Sequence, residues 1–95
     1  EKEAEMVEVT LYPNPVNDVA FIGLRHKKGD DYTNKQITKA EVFTMEGLSI
    51  LVQSFDALEE IRINLPVELK GMYLVKITDT EGESYTRKML VRFRE

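Results

Sequence analysis

The chain contains no cysteine and no tryptophan, and only one histidine and three prolines in 95 residues. Without cysteine there is no disulfide framework and no thiolate zinc site, although this does not choose a compartment. The cysteine nucleophile is excluded as well. A base for a serine nucleophile would have to be His26, which sits beside Arg25, Lys27 and Lys28 and reads as a solvated loop residue. Apolar runs are short, Met72-Tyr73-Leu74-Val75 being typical, so no membrane insertion is expected. Basic residues are outnumbered, 13 against 17 acidic ones, for a net charge of −4. That balance argues against a nucleic-acid partner. No glycine-rich phosphate loop and no N-glycosylation sequon occurs. The opening Glu1-Lys2-Glu3-Ala4-Glu5 lacks the apolar stretch of a signal peptide. Residues 1–6 read as the end of a linker and residues 7–95 as one domain, so the chain is taken as a piece of a larger protein.

What the chain does have is period-two alternation. Hydrophobic residues make up 42% and charged residues 32%, the balance of a folded domain. Val7 and Val9 alternate with Glu8 and Thr10. Ala20, Ile22 and Leu24 share one face, as do Ala40 and Val42. Ile61, Ile63 and Leu65 alternate with Arg62 and Asn64. Tyr73, Val75 and Ile77 alternate with Leu74, Lys76 and Thr78, and Met89, Val91 and Phe93 with Leu90 and Arg92. This is the signature of half-buried strands. Ile22, Val42, Ile63, Tyr73, Val75 and Ile77 are the expected core. The best helical window, Phe55 to Glu60, is too short to matter.

Turn signals fall at Pro13-Asn14-Pro15, Lys28-Gly29-Asp30-Asp31, Glu46-Gly47, Leu65-Pro66, Lys70-Gly71 and Glu81-Gly82. The two prolines push Tyr12 and Asn14 away from helix and make a stiff corner between strands. Gly47, Gly71 and Gly82 are expected at positive φ. His26 to Lys35 reads as a mobile polar loop. The expected fold is all-β: an immunoglobulin-like antiparallel β-sandwich of about seven strands.

Four further features are candidates for chemistry. Asp79-Thr80-Glu81-Gly82-Glu83 reads as a charged turn, with a calcium loop the alternative. Asp30-Asp31 is a second pair of carboxylates. Tyr12, Tyr32, Tyr73 and Tyr85 form either a sugar-stacking platform or core packing with hydroxyls bonded to backbone. Arg87, Lys88, Arg92 and Arg94 crowd the terminal strand, where cations deter edge pairing.

An ordered set of motifs resembles the C-terminal sorting domain of the type IX secretion system, the Por secretion tail family. Tyr12-Pro13-Asn14-Pro15 is similar to the family's opening. Val42-Phe43 and then Gly47 are similar to its aromatic-ended strand and turn, with Thr44 where many members have aspartate. Leu69, Gly71, Tyr73, Val75 and Ile77 are partly similar to its core strand, with one residue fewer before the glycine, and Lys88-Met89-Leu90-Val91 is similar to its terminal strand. The resemblance implies a non-catalytic sorting signal at the end of an upstream cargo. It further implies engagement by the outer-membrane secretion machinery, removal by a sortase-like protease, passage through the periplasm, and arrival at the cell surface or outside the cell. Its implied recognition residues are Tyr12, Pro13, Asn14, Pro15, Gly47, Gly71, Tyr73, Lys88 and Arg92. No catalytic, cofactor or metal site follows from it, and a monomer is expected. An immunoglobulin-like carbohydrate- or protein-binding accessory module of a surface enzyme is the alternative reading.

Overall fold

Period-two patterns become hydrogen-bonded strands almost throughout a computed structural model, which describes residues 6–92. The strands are β1 (Met6–Tyr12), β2 (Val19–Lys28), β3 (Asp31–Lys35), β4 (Ile37–Thr44), β5 (Ser49–Leu58), β6 (Glu60–Asn64), β7 (Gly71–Asp79) and β8 (Ser84–Val91). No described residue is helical. In the first sheet β2 is central. It pairs with β1 on one side, and on the other with β6 along Val19–Gly23 and β3 along Leu24–Lys28. The second sheet runs β5-β4-β7-β8, antiparallel throughout.

Leaving β3 aside, three strands (β1-β2-β6) face four (β5-β4-β7-β8). That connectivity is an immunoglobulin-like sandwich, as the spacing of turns predicts. The eighth strand is the difference. The polar stretch from His26 to Lys35 is no loop but a hairpin, β2 turning through Gly29 at φ +65° into β3. This ribbon has no second sheet to cover, so it carries no apolar stripe and its composition hid it. Its side chains are ordered by Arg25 and Lys27 lying over the Tyr32 ring, at 4.5 and 5.7 Å from its centroid. His26 accordingly lies half-buried within β2, opposite Val7 and Thr33.

The helical window at Phe55–Glu60 is likewise extended: Phe55–Leu58 end β5, Glu59 is a bend and Glu60 opens β6. Phe55, Asp56 and Ala57 bulge against Thr38 of β4, with Ala57 at φ +53°. The core is one cluster: Val16, Ala20, Ile22, Leu24, Ile37, Ala40, Val42, Ile61, Ile63, Leu65, Val75, Ile77, Met89 and Val91 are all buried. Five of the six expected core residues are here. Tyr73 is half-buried at the core's margin, because its hydroxyl must stay within reach of polar partners. Phe93, Arg94 and most of the proposed linker lie outside the described residues.

Candidate functional site

Three motifs separated in sequence meet at the terminal strand. β8 is an edge strand, paired on one side with β7 in unbroken register from Gly71↔Val91 to Thr78↔Ser84. On its other side it meets residues just beyond the Pro-Asn-Pro corner. β1 ends at Tyr12 in the first sheet. The chain then turns through Pro13, Asn14 and Pro15, with both X-Pro bonds cis, and Val16 arrives beside β8 in the second sheet. The Val16 N–H donates to Leu90 O at 2.8 Å, and the Arg92 N–H donates to Val16 O at 2.7 Å. Val16 and Val91 are buried side by side in a parallel bridge. The corner is thus a clamp over the last turn of the sandwich. Burial of Val16 and its two backbone bonds hold it.

The clamp covers only the end of β8. Leu90 C=O and Arg92 N–H face Val16, so by the two-residue period Lys88 directs its own N–H and C=O to the same side, short of the clamp. The side chains alternate too. Met89 and Val91 are buried, while Lys88, Leu90 and Arg92 on the opposite face are exposed; Arg87, opposite Val75 on the inward side, is exposed beside Val7 and Val9. The strand therefore offers an open edge and a cationic outer surface, yet is anchored in the core.

Gly71 and Tyr73 brace the same strand from β7. Gly71 opens β7 at φ +99° opposite Val91, where an L side chain would be strained. Tyr73 lies opposite Met89, and its hydroxyl donates to Lys70 O and accepts from Lys70 N–H, each at 3.1 Å. The hydroxyl bonded to backbone, one of the two tyrosine readings, is thus present here. Gly47, at φ +97°, closes the β4–β5 turn and donates its N–H to Thr44 O at 2.9 Å. Thr44 Oγ1 accepts the Leu48 N–H at 3.1 Å, a role open to the aspartate frequent in the resembling family. Tyr12 departs from the group. Its ring stacks on Phe21 at 5.4 Å on the outer face of the first sheet, and its hydroxyl donates to Glu60. That bond, foremost, raises the phenol's pKa. Pro13 and Asn14 are exposed and Pro15 is half-buried.

The four tyrosines do not share a surface. Tyr12 and Tyr32 sit on the outer face of the first sheet, whereas Tyr73 and Tyr85 pack against the core. Sequence reasoning missed a polar cluster around Asp79, which is buried. Its Oδ1 accepts the N–H groups of Glu81 and Glu83 at 2.9 Å, its Oδ2 accepts the Tyr85 hydroxyl at 3.1 Å, and Lys35 Nζ lies 3.5 Å away. Burial favours the neutral acid, but the Glu83 and Glu81 amides, the Tyr85 hydroxyl and Lys35 outweigh it and hold the carboxyl below its usual range. Tyr85 is raised by burial and by the Asp79 bond. Lys35 is lowered by burial but raised overall by the charges of Tyr85, Asp79 and Glu81. This is the charged turn expected from sequence, turned inward and tied to β3. Among the described residues no group of three His, Asp or Glu side chains is placed to hold a metal.

The sequence profile of the family described as "Secretion system C-terminal sorting domain" matches residues 10–92, from within β1 to the residue that closes the clamp. No curated protein matches the chain.

Proposed function

Because the chain belongs to the family of secretion system C-terminal sorting domains, we propose that it directs an upstream cargo through the type IX secretion system to the cell surface or beyond. The role is non-catalytic: the domain is read, not used as a reagent. The observation that carries this reading is the convergence of the Pro-Asn-Pro corner, the Gly71–Tyr73 segment and the cationic terminal strand on one edge of the sandwich. Packing alone requires Met89 and Val91 inward; it does not require exposed cations at Arg87, Lys88 and Arg92. Lys88 and Arg92 are proposed as direct contacts of the outer-membrane machinery. Pro13, Asn14, Pro15, Gly71 and Tyr73 hold that strand's surroundings in shape, while Tyr12 and Gly47 shape the first sheet's outer face and the β4–β5 turn. In this scheme the cargo passes through the periplasm, and a sortase-like protease then removes residues 7–95 as a unit.

Fusion of the chain to the C-terminus of a periplasmically targeted reporter tests the reading in a type IX-competent host. The expected result is reporter on the surface, accessible to external protease in intact cells. Reporter confined to the periplasm of that host would remove the sorting role. Specific capture of the chain by a glycan would favour the accessory-module alternative.

A further inference from the structure

The second sheet's outer surface is the candidate, and the strand register fixes which residues lie on it. Inward-facing Val42, Val75 and Met89 leave Phe43, Leu74 and Lys88 outward, side by side across β4, β7 and β8. One row toward the strand ends lie Met72 and Leu90, directly opposite each other and 43% and 41% exposed. One row the other way lies Val52 of β5, 53% exposed, followed by Glu41 and Lys76. An apolar surface four strands wide thus runs from β5 into the terminal strand, with Lys76 and Lys88 among its members. Neither lysine holds an ion pair among the described residues.

The outer face of the first sheet is different. There Arg25 pairs with Glu8, Tyr12 with Glu60, and Asn34 with Glu59, while Arg62, opposite Phe21, holds no ion pair among the described residues. The two faces of one sandwich therefore differ: the first is braced by these pairs, whereas the second is an apolar surface whose Lys76 and Lys88 hold no ion pair among the described residues, Glu41 opposite Lys76 accepting instead from the Ser49 hydroxyl. Apolar patches bordered by polar groups mark interaction surfaces, and charge at the border selects the partner.

We infer that the second sheet's outer face, not the terminal strand alone, is what the secretion machinery docks onto. The occupant is a protein surface with an apolar centre and carboxylates placed to meet Lys76 and Lys88. The inference rests on the sorting role proposed above and extends the recognised residues to Phe43, Val52, Met72 and Leu74. Leu90 and Lys88 make the new surface continuous with the terminal strand.

The test uses the reporter fusion with Val52→Asn and Met72→Asn combined. Both side chains are exposed and outside the terminal strand, so folding should persist, as a thermal melt checks. Loss of anchors from a docking surface should lower the surface-exposed fraction at least about tenfold. Tyr32→Asn, an exposed apolar loss on the opposite face, should leave export at the wild-type level. Lys76→Glu should also lower export, by opposing the partner's carboxylates. Wild-type export by the double variant would overturn the docking face while leaving the sorting role standing. Failure of the unmodified fusion would remove the sorting role and this inference with it. Sedimentation supplies the third outcome: a dimer of the isolated chain that the double variant makes monomeric would assign the face to a second copy instead.

Discussion

At the scale of single residues, most of the terminal strand's support is backbone geometry and one buried acid. Gly71→Ala places a Cβ at φ +99°, with nothing within 4 Å to clash. The cost is therefore conformational, about 1 kcal/mol in unfolding free energy by denaturant titration. A neutral or stabilising result would mean that the turn relaxes freely. Val75→Ala removes a buried side chain at the centre of β7 and should cost roughly 2–3 kcal/mol.

Asp79 gives a pH dependence whose sign is determined. Its folded-state pKa lies below the ordinary carboxylate value. Its contribution is therefore full above about pH 4 and is lost as the pH falls through the folded value. Tyr85 and Lys35 are raised, so their contributions are present below about pH 10 and fade above it. Asp79→Asn should destabilise the chain at neutral pH by about 1–3 kcal/mol and flatten its acid-side decline. An unchanged decline would place the acid sensitivity elsewhere. The sequence marks Asp79 only as part of a charged turn. Its burial depends on Lys35 and Tyr85, which come from another sheet and another strand, and no local pattern joins them.

At the scale of elements, alternation made β2, β4, β6, β7 and β8 legible, because each must show one face to a shared core. β3 was hidden because its ribbon owes nothing to that core, and β5 was blurred by its bulge near Ala57. The Pro-Asn-Pro corner was legible as a corner, but its destination was not. A parallel bridge from Val16 to Val91 joins the two ends of the chain, and backbone pairing at that separation leaves no period to read. Val16→Ala should cost about 2 kcal/mol and speed amide exchange at Arg92, whose N–H the clamp holds. Exchange at Arg92 unchanged by the substitution would show that the clamp does not govern this end of β8.

At the scale of the whole molecule, the sandwich separates what folds it from what is read. Buried Met89 and Val91 anchor the terminal strand, and exposed Arg87, Lys88 and Arg92 decorate it. Replacing Arg87, Lys88 and Arg92 together with glutamine should therefore shift stability by no more than about 0.5 kcal/mol each. It should nonetheless remove the signal. The family match covers nearly the whole described chain, and these cations stand exposed on its edge strand. The most direct measurement is the surface-exposed fraction of the reporter fused to this triple variant, compared with the unmodified fusion and paired with a melt of each domain. The expected result is matching melts, with the unmodified reporter at the surface and the variant held in the periplasm. Equal surface display of the two, with the variant folded, would contradict it.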